Sequence, residues 1–407
     1  MSCLIVFSQR RWAFVHRRQE QLMSRLARHH RVLFVEEPVF DSGAARLDVT
    51  AAAPNVDVIV ARTPVASPGF HNDQIPVIEP MLVAYLRAAG IRDYIAWFYT
   101  PMAMPLLGGL APRAVVYDCI GNFTTLGHPP PLLQQLQQHE AALLELADLV
   151  LAAGPTLYSA KRPCNDHVHC LPDSGDTAHF EPGRLDPANA EAGAAEQLHA
   201  GLPRPRLGYF GVIDRRIDLA LVAALADAHP AWQLLLAGPV TKIDPATLPQ
   251  RPNIHWLGVQ PYARLPYLIA LWDVCLLPFA VDAAAPLVSA ARALEYMAAE
   301  KPVVSSAVPD VVALYGDTVR IGSRIDGSFL HACEQALGEP RRDRDRRIGA
   351  MLATVQGASW DRAADAVQQL LVATLARPRG RGPGPAAGAG AARSAPRPAN
   401  PAPSDAS

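Results

Sequence analysis

Charge of one sign is missing from this chain: Lys plus Arg number 37 and Asp plus Glu 38, a formal net charge of −1. Such a balance provides no overall field for neutralising a nucleic-acid backbone. Aromatic residues are only 7% of the total and are not interleaved with basic ones, as a base-stacking platform would require. Nucleic acid is therefore not an expected partner. Cysteine is sparse, and the six at positions 3, 119, 164, 170, 275 and 333 show no regular framework. That scatter points to a reducing compartment. Long apolar runs are lacking too. The stretch 265–281 is broken by Pro266, Asp273 and Pro278, so it falls short of the roughly 20 apolar residues a membrane span needs. The opening MSCLIVFSQRRW has a five-residue apolar run with its charges after it. It reads as a first β-strand rather than a signal peptide, and a cytoplasmic location is expected.

What is present is ample apolar material, 50% of 407 residues, and a length that favours two domains at about 100–200 residues each. Strands read at 4–7, 31–35, 56–60, 94–98, 114–117, 149–152 and 168–171, with helical periodicity at 19–29, 78–89 and 132–147. Alternating β and α implies a parallel sheet covered on both faces. Residues 183–203, rich in Ala, Gly and Pro, break the rhythm and read as a linker; a surface helix packed on one domain is the rival. The rhythm resumes at Arg206, with strands at 207–210, 233–237, 254–257, 274–277, 303–305 and 319–321. Helices fit 219–228, 262–270, 289–299 and 327–337 between them. The run RRDRDRR, 341–347, reads as a solvated helical face, and a last helix fits 360–375. The expected division is a first domain over 1–182, a linker over 183–203, a second domain over 204–357, a helix over 358–376 and a tail over 377–407. The tail has no large apolar residue, so disorder is expected of it. Its five arginines against one aspartate leave open a weak peripheral contact with an anionic membrane face.

Ligands of open parallel sheets bind beyond the carboxyl ends of the strands, so the loops after strands hold the candidates. Arg10, Arg11 and Trp12 follow the first strand, with His16 close behind; two guanidiniums and an indole suit an anionic or sugar-like ligand. Asp118 ends Ala-Val-Val-Tyr-Asp, a common place for a catalytic carboxylate and equally for a turn residue. Gly208-Tyr-Phe-Gly211-Val-Ile-Asp214-Arg215-Arg216 restarts the second half. Glycine there lets backbone N–H groups approach a phosphate, with arginines adding charge-assisted hydrogen bonds. Lys242, after the next strand, offers a further cation. Ser289, Arg292 and Glu295 are spaced by three, near one face of a helix start. They read either as an N-cap with an intrahelical ion pair, or as a nucleotide site in which amides take a phosphate and the glutamate takes ribose hydroxyls. Cys164, His167, His169 and Cys170 crowd too closely to close one tetrahedron, so no metal is expected. No G-x-G-x-x-G, G-x-S-x-G or H-E-x-x-H occurs, and the dehydrogenase and hydrolase chemistries of those motifs lack support.

Several segments together resemble a known family. FSQRRWAFVHRRQEQLMSRLARHHRVLFVEEP, ADLVLAAGPTLYSAKRP and HVHCLPDSGDTAHF, with its Gly175-Asp176 turn, carry the first half of the likeness. LGYFGVIDRRIDLALV, GPVTKIDPATLPQRPNIHWLGVQPYARLP and LEYMAAEKPVVSS carry the second. Over about residues 3–322 the chain resembles the GT-B glycosyltransferases, specifically the retaining family 4 or glycosyl transferases group 1, and within it the bacterial exopolysaccharide-type members. The resemblance implies two Rossmann-like domains facing across a cleft, with a final helix crossing back to the first. It implies a nucleotide-sugar donor as substrate, no cofactor, a glycan or lipid-linked acceptor arriving from the first domain, and retention of configuration. By residue, Glu295 matches the glutamate that takes the donor ribose, Ser289 and Arg292 the segment beside the donor phosphates, and Arg215, Arg216 and Lys242, with Gly211, the diphosphate region. Arg10, Arg11, Trp12 and His16 fall on the acceptor side, and Asp118 is the catalytic candidate. The chain departs from the family pattern at Leu287, where a first glutamate is usual, at Ala285-Pro286, at Gly121-Asn122 and at Glu300. Two alternatives follow: a homologue that binds a nucleotide sugar or partner enzyme without turnover, and a nucleotide-sugar epimerase.

Overall fold

A computed structural model of the chain describes residues 2–13, 18–122, 129–281 and 290–377. The first part runs β1 (Cys3–Ser8), α1 (Arg18–Leu26), β2 (Arg31–Phe40), β3 (Arg46–Ala53), β4 (Val56–Thr63), α2 (Ile75–Ala88), β5 (Tyr94–Phe98), β6 (Ala114–Cys119), α3 (Pro130–Leu146), β7 (Leu149–Ala152), α4 (Pro155–Lys161) and β8 (Val168–Cys170). Then come α5 (Thr177–Phe180), α6 (Ala190–Leu198), β9 (Arg206–Phe210), α7 (Leu219–Ala228), β10 (Gln233–Ala237), β11 (Ile254–Gly258), α8 (Leu265–Ala270), β12 (Val274–Leu277), α9 (Ala291–Ala298), β13 (Val303–Ser306), α10 (Pro309–Tyr315), β14 (Arg320–Gly322), α11 (Ser328–Leu337), α12 (Arg341–Gly357) and α13 (Trp360–Ala376).

The strands form two sheets. The first has the order β3-β4-β2-β1-β5-β6-β7-β8, and the second β11-β10-β9-β12-β13-β14. Every pairing is parallel except β3 with β4. Chain order reverses between β1 and β5 and again between β9 and β12. Such reversals open the crevice in which α/β sheets bind ligands.

Period-two alternation divides each strand between two layers. Cys3, Ile5 and Phe7 of β1 pack with Ile78, Leu82 and Leu86 of α2. Leu4 and Val6 face the other way, toward Leu22, Met23 and Leu26 of α1. The last helix joins this second layer through Trp360, Ala363, Ala364, Val367 and Leu371, a stripe at three- and four-residue spacing. Burying Val367 and Leu371 there stabilises the contact by about 1.5–3 kcal/mol each. At its rim Asp361 pairs with Arg25 at 3.2 Å and Arg28 at 2.9 Å, and Gln368 Oε1 lies 2.7 Å from His30 Nε2.

Two expectations change. The strand β3 was not anticipated; it turns back from β4 as an antiparallel edge, so the first sheet is not wholly parallel. Residues 183–203 are not a bare linker but carry α6, the rival reading. Asn189 caps it by accepting from Glu191 N–H at 2.9 Å, and Ala195 is fully buried. Beyond it His199 is locked from both sides: Nδ1 sits 2.7 Å from Ala195 O, and Trp272 Nε1 donates to Nε2 at 3.1 Å. Burial also lowers the His199 pKa, in keeping with a neutral ring that donates from Nδ1 and accepts at Nε2. The Trp272 ring in turn lies flat on β9, where a Cβ at Gly208 would stand 2.0 Å from it.

Candidate functional site at the carboxyl ends of the strands

The loops after β9 and β10 run side by side. Gly211 N–H donates to Ala237 O at 2.9 Å, Ile213 N–H to Pro239 O at 2.9 Å and Thr241 N–H to Ile213 O at 3.0 Å. Gly211 and Gly238 adopt φ of 147° and 151°. A Cβ on Gly238 would come 1.8 Å from the Gly211 carbonyl. Only glycine permits this approach. On these loops Asp214, buried, holds Arg216 by accepting from its N–H and its Nε, both at 2.9 Å. Arg215 and Lys242 are exposed on the same two loops. Lys242 takes a left-handed φ of 60°.

The start of α9 meets these loops through Phe210. The Arg292 guanidinium lies 3.8 Å above the Phe210 ring, a cation–π contact, and pairs with Glu295 one turn on. Tyr296 Oη accepts from Phe210 N–H at 2.9 Å. Burial raises the Glu295 pKa; Arg292 opposes the rise and Asp176 adds to it. Asp176 belongs to the turn that leaves the first sheet. Gly175 packs so closely on α9 that a Cβ there would stand 3.1 Å from Leu294 Cβ and 3.2 Å from Glu295 Cγ. Asp176 also accepts from Tyr262 Oη at 2.9 Å, and the His179 ring stacks on Tyr262 at 4.1 Å. Gly211, Arg292 and Glu295 are thus brought together, with Arg216 on the adjoining loop. No local sequence pattern points to Tyr262, His179 or the platform role of Phe210.

In the first sheet the predicted residues are largely committed to one another. Arg11 pairs with the buried Glu36 at 2.8 Å, and the same carboxylate accepts from Trp12 N–H at 2.7 Å. The Trp12 ring packs edge-on against Phe34 at 5.1 Å. These two residues pin the loop to β2 instead of presenting a free basic and aromatic surface. Asp118 is fully buried. Arg18, itself 5% exposed, donates from Nε at 3.0 Å and approaches the same oxygen with Nη2 at 2.9 Å. Arg18 also donates to Leu171 O at 2.8 Å and to Asp173 at 3.1 Å. Burial raises the Asp118 pKa against the pull of Arg18. Its carboxylate therefore has no surface from which to touch a substrate. Arg18 and Asp173 went unrecognised in the sequence, because nothing local links positions 100 or more apart. Arg10 differs: it is exposed, its loop held by a Ser8 Oγ contact to Arg10 N–H at 3.0 Å. Desolvation lowers its pKa, Asp173 raises it, and Arg216 of the second sheet lowers it again. The loops after β1 and β9 are therefore within electrostatic reach of each other. His16 and Ser289 lie outside the described residues, as do Ala285, Pro286 and Leu287.

Among the described residues no group of three His, Cys, Asp or Glu side chains is placed to hold a metal ion. Nor is any helix among them long and apolar enough to cross a membrane.

The architecture is that of the GT-B fold, two Rossmann-like α/β domains. Across solved structures the chain resembles sucrose-phosphate synthase from Thermosynechococcus elongatus, with a TM-score of 0.67 and 18% identity over 92% of this chain and 100% of that one. It also resembles the trehalose-6-phosphate structure from E. coli bound with UDP-2-fluoro glucose, with a TM-score of 0.65 and 14% identity over 91% and 99% of the two chains. In sequence it is 22% identical over 280 residues to a putative teichuronic acid biosynthesis glycosyltransferase, TuaH, of Bacillus subtilis (strain 168), covering 64% of this chain and 68% of that protein. No protein-family model matches the chain.

Proposed function

We propose that this protein is a glycosyltransferase that moves a sugar from a nucleoside-diphosphate sugar to a glycan or lipid-linked acceptor. The reading is carried by one observation: at the reversal point of the second sheet, the loop that opens with Gly211 adjoins the Arg292–Glu295 pair through Phe210. The donor diphosphate lies against this surface, where Arg292, Arg215, Arg216 and Lys242 stabilise the charge that builds on it as the sugar departs. Glu295 takes the ribose hydroxyls. Arg10 faces the donor from the first domain, beside the acceptor path. Asp118 acts as a positioning residue, fixing Arg18 and through it Asp173 beneath that path. The solved neighbour bound with UDP-2-fluoro glucose makes UDP-sugars the first donors to try. The teichuronic acid relative favours a polysaccharide as the product, and the scattered cysteines favour a cytoplasmic place of work. Retention of configuration stays with this reading as part of the family likeness.

The test is a thermal-shift screen against UDP-, GDP-, ADP- and dTDP-sugars, followed by assay of transfer. A donor at a hundred times its Kd should stabilise the fold by about 2.7 kcal/mol. Transition temperatures unmoved by all four classes at millimolar concentration would overturn the proposal.

A further inference from the structure

The helix α4, at the carboxyl end of β7, begins with an N-cap that has no side chain. Gly154 occupies the cap position and Pro155 the first helical position. The cap residue normally accepts from the second or third N–H of the helix with its own side-chain oxygen. Here that acceptor comes from the other domain. Asp310, in the first turn of α10 after β13, accepts from Thr156 N–H at 2.9 Å and from Thr156 Oγ1 at 2.6 Å. Asp310 is 8% exposed.

The glycine is what admits it. Gly154 has φ of 176°, an extended value open to any residue, so the backbone does not require glycine there. Space does: a Cβ would fall 2.1 Å from Asp310 Oδ2. An ordinary Ser, Thr, Asp or Asn cap would exclude Asp310. The sequence thus gives up a local cap at α4 and receives one across the domain boundary. Both of the new bonds are charge-assisted.

We propose that Asp310 is an interdomain latch. Its carboxylate completes α4 only while the domains hold the arrangement seen here, and parting them leaves the first turn of α4 uncapped. This goes beyond the proposed activity and needs no donor to be tested.

The experiment uses the full chain without ligand, read by small-angle X-ray scattering and by amide hydrogen exchange. In Asp310→Ala the radius of gyration should increase and the Thr156 amide should exchange roughly tenfold faster. Gly154→Ser separates the latch from a mere helix cap. The serine hydroxyl caps α4 locally, so exchange stays slow, while its Cβ displaces Asp310 and scattering still shows the enlarged particle. Thr156→Val, which deletes only the hydroxyl bond, should give a smaller shift and serves if Asp310→Ala does not fold. Scattering from all folded variants that superimposes on the parent would overturn the proposal.

Discussion

At the end of β1, Arg11 and Trp12 are drawn back onto Glu36, and at the end of β6, Asp118 is sealed under Arg18. At the end of β9, by contrast, the chain spends glycine and keeps its cations at or near the surface, with Arg292 propped on Phe210. The same strand-end position is scaffold in one domain and candidate ligand surface in the other. A charged residue after a strand is therefore not evidence of a site until its partner is known.

That contrast can be broken by substitution. The largest effect is expected from Arg18→Met, which strands the Asp118 carboxylate in the interior. Removing one member of a buried pair costs about 3–5 kcal/mol, to be read by denaturant unfolding. Next is Gly238→Ala, whose methyl meets the Gly211 carbonyl. It should lower stability by about 2–3 kcal/mol and also abolish donor binding by calorimetry, whereas a folded Arg18 variant should still bind donor.

Glu295→Gln sharpens the comparison further. Losing a charged acceptor should weaken donor affinity roughly tenfold. Its effect on stability runs the other way. Burial raises the Glu295 pKa above its ordinary 4.5, so folding favours the protonated form. That contribution is complete below the unfolded value and is lost as pH rises through the folded one. Unfolding curves across this interval should show the glutamine variant gaining on the parent as pH increases. A variant that gains stability while losing affinity marks a ligand site rather than a scaffold. Arg11→Ala should do the least, at most about 1 kcal/mol for a partly exposed pair, with donor affinity unchanged.

Much of the architecture was legible because strands of a parallel sheet are short, buried runs and the helices between them keep their period. β3 escaped because RLDVTAAA has only Leu47 and Val49 in alternation before an alanine run. α6 stands only as the rival to a linker because its burial depends on small residues, Ala192 and Ala195. In the site, spacing alone put Arg292 and Glu295 on one helix face. Arg18 with Asp118, Asp176 with Tyr262, and Asp310 with Thr156 are joined only by the fold, and no local pattern announces them.

The seat of α13 has a consequence for how the molecule is made. Its Trp360, Val367 and Leu371 cover a face of the sheet whose own strands are complete by Cys170. While the ribosome is still adding the intervening residues, that face has Leu4, Val6, Phe34 and Trp97 without their final cover. Shortening the product before Trp360 would leave the same greasy flank bare for good. The opening half of the polypeptide thus reaches its finished form only after the whole second sheet and α13 have emerged.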